Sequence, residues 1–415
     1  MSDCPKGRCF LERTLSEKVL SVSQNFPVLL ITGPRQVGKT YLLESANKDL
    51  RKYVTLDNVD DRILAKENPA LFLQRYAPPM IIDEIQYAPE LFPYIKIYVD
   101  KHRENGAFWL TGSQKFSLMR GVQESLAGRV AILDLLGFSL KEIENKANKS
   151  VPFIPEMNFK SADVSSENRT LTDIYDKIWR GTFPQSYNKD GLQRDVFFRS
   201  YIQTYIERDI KSDLDIRHNE TKFHNFIRSV AVRTANLLNY SDIAKDVDID
   251  VRTAKTWLNA LIRAGLVKIV EPYFNNISKR IIKTPKIYFL DTGLCSYLAR
   301  IESPQTLEAS YINGRILETF VFCEILKTYW HNGTDAYIYF YRDDDGKEID
   351  FIIERDGLLY PIEVKKTAGP TKEDAKNLYL IEKTKKNIGI GAVICLRETM
   401  LPLSEKYVAI PVWDI

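Results

Sequence analysis

The stretch Gly33-Pro34-Arg35-Gln36-Val37-Gly38-Lys39-Thr40 has the spacing G-x-x-x-x-G-K-T, and each part of it has a physical job. Glycines let the backbone wrap a phosphate so that successive N–H groups point inward, and a helix starting near Lys39 adds the positive end of its dipole. Lys39 is suited to neutralise β and γ phosphates, and the Thr40 hydroxyl to ligate Mg²⁺. The expected nucleotide surface is therefore Gly33 to Thr40 together with Tyr41, and the expected ligands are ATP and Mg²⁺. A Gly-rich turn can be only a turn. The apolar run Phe26 to Thr32 before it reads as a buried parallel strand and favours the phosphate reading.

A second constellation stands at Asp83-Glu84, closing the apolar run that begins at Met80. Asp83 is expected to hold Mg²⁺ through water, and Glu84 to orient or deprotonate the attacking water. Outside this context such a pair is a solvated turn. Thr111-Gly112-Ser113-Gln114 ends another run, and its polar groups can sense a γ-phosphate, with helix capping by Ser113 as the bland alternative. Arg129 directly precedes the run Val130 to Leu135, a position from which an arginine can complete a neighbouring subunit's site. Arg120 is the rival for that role, and a surface salt bridge is the plain alternative for both.

A third group lies near the C-terminus: Glu318, Asp350, Glu363 and Lys365. Glu318 falls on a helical apolar pattern beside Val321 and Phe322, where a carboxylate needs a partner such as a metal. Asp350 is on a strand returning from the turn Asp343 to Gly346. Glu363 and Lys365 are two apart, so they share one face of a strand. Asp350 and Glu363 offer hard oxygen ligands to Mg²⁺, and Lys365 can position or acidify a water that attacks a phosphodiester. Taken alone, Glu-x-Lys is an ordinary surface pattern.

These groups need elements to hold them. Short apolar runs at Tyr53 to Asp57, Met80 to Glu84, Phe108 to Gly112 and Val130 to Leu135 alternate with helix-length segments, which predicts a parallel sheet covered on both faces. Residues 137–170 are polar and weakly periodic, and read as a lid or linker. From Asn239 the pattern predicts a short helix capped by Ser241, a turn over Asp248 to Asp250, and a second helix carrying Val251, Ala254, Trp257, Leu258 and Leu261 on one face. Leu266–Val270 and Lys286–Leu290 would be wing strands. In a DNA-binding helix-turn-helix, Arg252, Thr253, Lys255 and Thr256 would begin the recognition helix. Asp242, Asp246, Asp248 and Asp250 oppose phosphate there, so a packing role is the alternative, and the wing segment from Asn275 to Lys283 is the more basic candidate.

The chain has 415 residues, 44% hydrophobic and 27% charged, which fits two or three globular domains and excludes a disordered chain. With Lys plus Arg at 58 and Asp plus Glu at 55, the net charge of +3 makes any nucleic-acid surface local. Cys4, Cys9, Cys295, Cys323 and Cys395 include no Cys-x-x-Cys pair, so no zinc or disulfide framework is expected. Neither a signal peptide nor the roughly 18 apolar residues of a membrane span is evident, and a cytoplasmic location is the default expectation.

The order Gly33 to Thr40, Ile81-Ile82-Asp83-Glu84-Ile85-Gln86, Leu110-Thr111-Gly112-Ser113 and Leu126-Ala127-Gly128-Arg129 resembles bacterial and archaeal AAA-type ATPases carrying a DUF4143 C-terminal region. The resemblance extends to Gly181-Thr182-Phe183-Pro184 and to the segment Tyr201 to Ile210, where Arg208 is a candidate second sensor or an ion-pair partner. Ser113 is similar in position to the first sensor of AAA+ ATPases. Asp350 and Glu363-Val364-Lys365, with Glu318 as the helix-borne acid, look like the PD-(D/E)xK nuclease superfamily, although Ile349 stands where many members have proline. The fold so implied is α/β: a P-loop AAA+ ATPase core with a parallel sheet at 1–137, a helical lid and linker at 138–220, a winged-helix region at 221–300, and an α/β nuclease-like domain at 301–415. The implied function is an ATP-hydrolysing homo-oligomer, a hexamer in the form the resemblance suggests, that binds DNA and cleaves it with Mg²⁺. A nucleotide-controlled switch without motor or nuclease activity is the alternative.

Overall fold

Val28–Thr32 (β1) is five consecutive buried residues, as a strand covered on both faces requires. In this computed structural model, which describes residues 11–47, 51–113, 115–156, 170–187, 193–206, 220–276 and 283–415, helix α1 (Leu15–Ser23) precedes β1 and α2 (Lys39–Ala46) follows it. Cys4, Cys9, Gln114, Arg208 and the basic segment 277–282 lie outside the described residues, as does the side chain of Arg120. The chain continues through β2 (Lys52–Thr55), α3 (Val59–Glu67), α4 (Pro69–Arg75), β3 (Met80–Asp83), α5 (Leu91–His102), β4 (Phe108–Gly112), α6 (Lys115–Ser125) and β5 (Val130–Asp134). Asn58 and Asn68 start α3 and α4 by accepting from free N–H groups of the first turn. The five strands are parallel in the order β2-β3-β4-β1-β5. This order separates the loop after β1 from the acidic tip of β3 by one strand, β4, so three strand ends converge where the sequence predicted them.

The segment expected as a linker is, over 138–156, part of the packed interior. α7 (Leu140–Ile143) begins with a capping box between Ser139 and Glu142, and Glu142, Ser150 and Phe153 are all buried. Its polar residues are buried because they have buried partners: Arg13 Nε donates to Glu142 Oε1 at 3.2 Å, and His331 Nδ1 lies 3.4 Å from the same oxygen. Helices α8 (Leu171–Arg180), α9 (Arg194–Tyr201) and α10 (Glu220–Ala231) then lead to a helix-turn-helix, α11 (Tyr240–Val247) and α12 (Val251–Arg263). Asn239, not Ser241, caps α11; its Oδ1 accepts from Ser241 N at 3.0 Å and Asp242 N at 3.2 Å. An antiparallel sheet ordered β6-β8-β7 completes this region, from β6 (Asn236–Leu237), β7 (Val267–Val270) and β8 (Lys286–Phe289).

After α13 (Thr292–Leu298) and α14 (Pro304–Ala309), α15 (Asn313–Trp330) is buried along most of its length. A helix apolar on all sides belongs in an interior, and α15 stands between the C-terminal module and the first domain. Its buried Glu324 accepts from Leu140 N at 2.7 Å, and Lys327 donates to Phe138 O at 3.0 Å and to Glu324 at 2.7 Å. Six strands follow: β9 (Ile338–Arg342), β10 (Glu348–Arg355), β11 (Leu358–Val364), β12 (Gly391–Cys395), β13 (Leu401–Pro402) and β14 (Tyr407–Pro411). They form a mixed sheet ordered β13-β14-β12-β11-β10-β9. No helix among the described residues is long and apolar enough to cross a membrane.

Candidate functional site

The loop between β1 and α2 is set by backbone conformation before any side chain acts. Gly33 has φ +148° and Gly38 φ +91°, both in the region that favours glycine, and a Cβ on Gly33 would collide with the Leu135 carbonyl oxygen. Gln36 also has positive φ, at 62°, which tightens the turn. Lys39 is buried at the first position of α2, and its ammonium donates to Gly33 O at 3.0 Å and Pro34 O at 2.8 Å. Burial pushes this ammonium down to about 8, against the opposing pull of Glu84 and Asp83. Arg35 reaches Tyr87 OH at 3.2 Å and stacks over the Tyr205 ring, Val37 is buried, and Tyr41 is half-buried one turn into α2.

Opposite stands Asp83, at the end of β3. Thr40 Oγ1 donates to it and lies 3.0 Å from both carboxylate oxygens, so the predicted pair does meet. Two further residues hold Asp83: Tyr53 OH donates to Oδ2 at 3.0 Å, and the Thr111 hydroxyl donates to Oδ1. Tyr53 carries no local signal, and Thr111 is expected among the polar groups that end its strand, not as a partner of Asp83. Tyr53 comes from β2 and Thr111 from β4, the neighbours of β3 in the sheet, and only strand order brings them together. Glu84 takes a left-handed backbone (φ 56°) and its N–H donates to Thr111 Oγ1 at 3.1 Å. Its carboxylate accepts from the Gln86 amide and, at 3.3 Å, from Ser113 Oγ. Ser113 is thus tied to Glu84.

Carboxylates are crowded here. Burial, then Asp83, raises the carboxyl of Glu44 on α2; burial, then Glu84 and Asp83, raises that of Asp57. A site with a glycine-bounded loop at the start of α2 and Lys39 on one side, and a surplus of carboxylates around a threonine hydroxyl on the other, fits a nucleotide phosphate with its Mg²⁺. Thr40 and Asp83 would hold the metal and Lys39 the phosphates. Arg129 is partly exposed and pairs with Asp100 of the same chain at 2.5 Å.

The end of α12 abuts this loop. A Cβ on Gly265 would lie 3.1 Å from Pro34 Cγ, and Tyr205 OH donates to Ala264 O at 3.3 Å. A cavity of about 410 Å³ opens between them, lined by Gly33, Pro34, Ser113, Asp134, Arg263 and Lys268 among others. At the far end of α12, Arg252, Lys255, Thr256 and Asn259 are exposed on one face. The four aspartates before them are mostly engaged. Asp248 pairs with Lys222 at 2.8 Å, Asp246 with Arg233 at 2.5 Å, Asp242 accepts from Asn239, and Asp250 caps α12 through Thr253 N at 2.9 Å.

In the C-terminal module, Glu318, Asp350, Glu363 and Lys365 converge as expected. A register shift in the β9–β10 pairing between Ile349 and Ile352 re-aims Asp350, whose Oδ2 accepts from Val364 N at 2.8 Å. Lys365 donates to Glu363 Oε1 at 2.7 Å, leaving the buried Glu363 Oε2 without a hydrogen-bond partner. The partner of Glu318 differs from the metal expected for it: Lys286 of β8 donates to Oε1 at 3.1 Å and Tyr288 OH at 2.6 Å. Burial and Asp350 push Glu318 up to about 7 and Glu363 up to about 8. This arrangement does not fit a divalent ion. Ammonium groups already stand among the carboxylates, and among the described residues no group of three or more acidic, histidine or cysteine side chains is placed so that it could hold a metal ion.

Comparison with known proteins divides the chain in three. Residues 25–144 match an AAA domain, residues 171–305 the domain of unknown function DUF8612, and residues 313–415 the domain of unknown function DUF4143. An uncharacterized protein of Mycobacterium tuberculosis, Rv2008c, is 29% identical over 389 residues, covering 93% of this chain and 80% of its own length. Its Mycobacterium bovis counterpart, Mb2031c, matches to the same extent. Among solved structures, the Walker-type ATPase PABY2304 of Pyrococcus abyssi is 17% identical with a TM-score of 0.43, over 72% of this chain and 99% of that one. The AAA match lies on the phosphate-binding loop and the Asp83 carboxylate, so the chain carries an AAA domain over residues 25–144 and a DUF4143 domain over residues 313–415.

Proposed function

We propose that this chain is a nucleotide-controlled DNA-binding ATPase, in which the state of the phosphate-binding loop sets the position of the helix-turn-helix. Bound Mg²⁺ would supply charge neutralisation at the terminal phosphates. The residues of the chain do the rest. Backbone N–H groups of Gly33 to Thr40 and the Lys39 ammonium hold the phosphates, Thr40 and Asp83 fix the metal side, and Glu84 takes a proton from the attacking water while Ser113 and Gln86 orient it.

The observation that carries the proposal is the contact of Gly265 with Pro34. α12 has 13 residues, about 20 Å in length, and joins the nucleotide loop at one end to Arg252 and Lys255 at the other. A change in the loop on hydrolysis therefore has a rigid route to an exposed basic face. Basic residues at the start of the second helix of such a motif suit phosphate and base-edge contact, and the aspartates before it are largely taken up by caps and ion pairs.

Assembly is the second part of the proposal. Arg129 is held by a solvated pair that water and salt screen, so little opposes its release to a neighbouring subunit's nucleotide. A homo-oligomeric ring is the form in which such an arginine acts.

The test is duplex affinity of the full chain in two nucleotide states: ATP with the Glu84→Gln variant, and ADP with the wild type. The proposal expects different affinities, both falling steeply with salt because phosphate contacts release counterions. Equal affinity in the two states would remove the coupling, and absence of DNA binding in both would remove DNA as the partner.

A further inference from the structure

The carboxylate cluster of the C-terminal module is reached by a side chain from outside it. Lys286 begins β8 in the middle module, and only 3% of it is exposed. Its ammonium lies 3.1 Å from Glu318 Oε1 and 3.4 Å from Glu348 Oε2, on the side of the cluster where Asp350 also stands. Tyr288, two residues on and so on the same face of the strand, donates to the same Glu318 oxygen. From the other side, Lys365 pairs with Glu363 at 2.7 Å.

The strand that brings Lys286 is fixed to the C-terminal module. The buried Tyr288 ring stacks on Phe322 with centroids 4.4 Å apart and lies 5.8 Å from Phe351. Thr234 and Thr319 share a hydrogen bond of 2.8 Å across the same boundary, and Cys323 Sγ donates to Phe289 O at 3.2 Å. Backbone joins backbone as well: Tyr273 N donates to Phe340 O at 2.6 Å, and Phe340 N to Glu271 O at 3.2 Å. An interface this apolar and this continuous does not open as loosely docked domains do. A buried ammonium, for its part, requires the carboxylates that surround it.

We infer that Lys286 is the resident cation of the C-terminal carboxylate cluster, supplied in cis by the middle module in the place where a divalent ion would otherwise sit. The cluster then joins two modules and takes no metal while Lys286 is present. Removing the ammonium leaves the carboxylates of Glu318, Asp350 and Glu363 without that cation, and a divalent ion is then the charge that can replace it.

The experiment is a Mn²⁺ titration of the full chain without nucleotide, followed by electron paramagnetic resonance, in the wild type, Asp350→Asn, Lys286→Ala and Lys286→Ala with Asp350→Asn. The expected result is the same bound Mn²⁺ in the wild type and in Asp350→Asn, one additional ion in Lys286→Ala, and loss of that ion in the double variant. Wild-type Mn²⁺ that disappears in Asp350→Asn overturns the inference, and this comparison does not depend on whether Lys286→Ala folds. A folded Lys286→Ala that gains no ion overturns it too, since the ammonium would then not be what fills the site.

Discussion

A Cβ on Gly265 would lie 3.1 Å from Cγ of Pro34, so at this point the turn ending α12 and the opening of the phosphate-binding loop approach too closely for a side chain to fit between them without a shift. Gly265 also has φ +71°, where a side chain costs roughly 1–2 kcal/mol. Gly265→Ala is expected to lower stability by about that amount and to disturb the coupling between nucleotide and helix. Gly265→Asn tolerates the backbone better yet still presses on Pro34. Thermal melting with a parallel measurement of nucleotide-dependent DNA affinity separates the two effects: Asn should recover most of the stability without recovering the coupling. Normal coupling in both variants would mean that this contact is only packing.

Hydrolysis and binding should separate at Glu84. Glu84→Gln is expected to keep ATP binding while slowing turnover on the order of 10²- to 10⁴-fold, the range typical of a lost general base. Lys39→Ala should lose tight binding itself. Isothermal titration beside a phosphate-release assay reads both, and wild-type turnover in Glu84→Gln would take that residue out of its role.

Tyr53 and Thr111 act through Asp83. Thr111→Val removes a hydroxyl from the Asp83 carboxylate and from the Glu84 N–H together. Groups that orient a metal-holding carboxylate typically change metal affinity or activity about 10- to 100-fold. A matching rise in the Mg²⁺ concentration needed for half-maximal turnover is expected, smaller for Tyr53→Phe because it removes one hydrogen bond only. An unchanged Mg²⁺ requirement in both variants would contradict this.

Stability should fall with acid because of Arg13, Glu142 and His331. Burial opposes ionisation of Glu142, but Arg13, then His331 and the Ser139 N–H, outweigh it and hold the carboxyl well below the usual range. Burial lowers His331, whose Nε2 accepts from Leu136 N at 3.2 Å and so carries no proton. Both groups bind protons more readily in the unfolded chain. Stability is therefore full above about pH 6.5, declines as unfolded His331 titrates, and drops further below about pH 4.3 as unfolded Glu142 does. Melting temperatures between pH 8 and pH 4, roughly the span of those two transitions, check the sign. Glu142→Gln leaves the Arg13 guanidinium uncompensated, which is expected to cost about 3–5 kcal/mol. A flat profile, or one rising toward acid, would refute the assignment.

The parts legible in the sequence were those in which chemistry sits at fixed local spacing. Gly33 to Thr40, Asp83 and the five strands of the first sheet follow from motifs and apolar runs a few residues long. Tyr53 escapes such reading, and so does the contact of Thr111 with Asp83, although Thr111 itself stands out as a polar strand end, because sheet order alone brings both to Asp83. Lys286 escapes it for the same reason on a larger scale: it belongs to one module by chain position and to another by contact. Glu142, Glu324 and Lys327 look like surface residues of a linker and a helix, and only their buried partners explain them. The aspartates before α12 point the other way, since their charges suggested repulsion of DNA where the structure finds caps and ion pairs.

The central claim is that the nucleotide site and the exposed face of α12 work on each other. Its most direct measurement is steady-state ATP hydrolysis by the full chain with no DNA and with duplex, single-stranded or branched DNA at low salt, in the wild type and in a variant carrying Arg252→Glu and Lys255→Glu. The account predicts a turnover that rises with at least one form of DNA in the wild type and no such rise in the variant. Turnover indifferent to every DNA, or stimulation that survives the charge reversal intact, would contradict it.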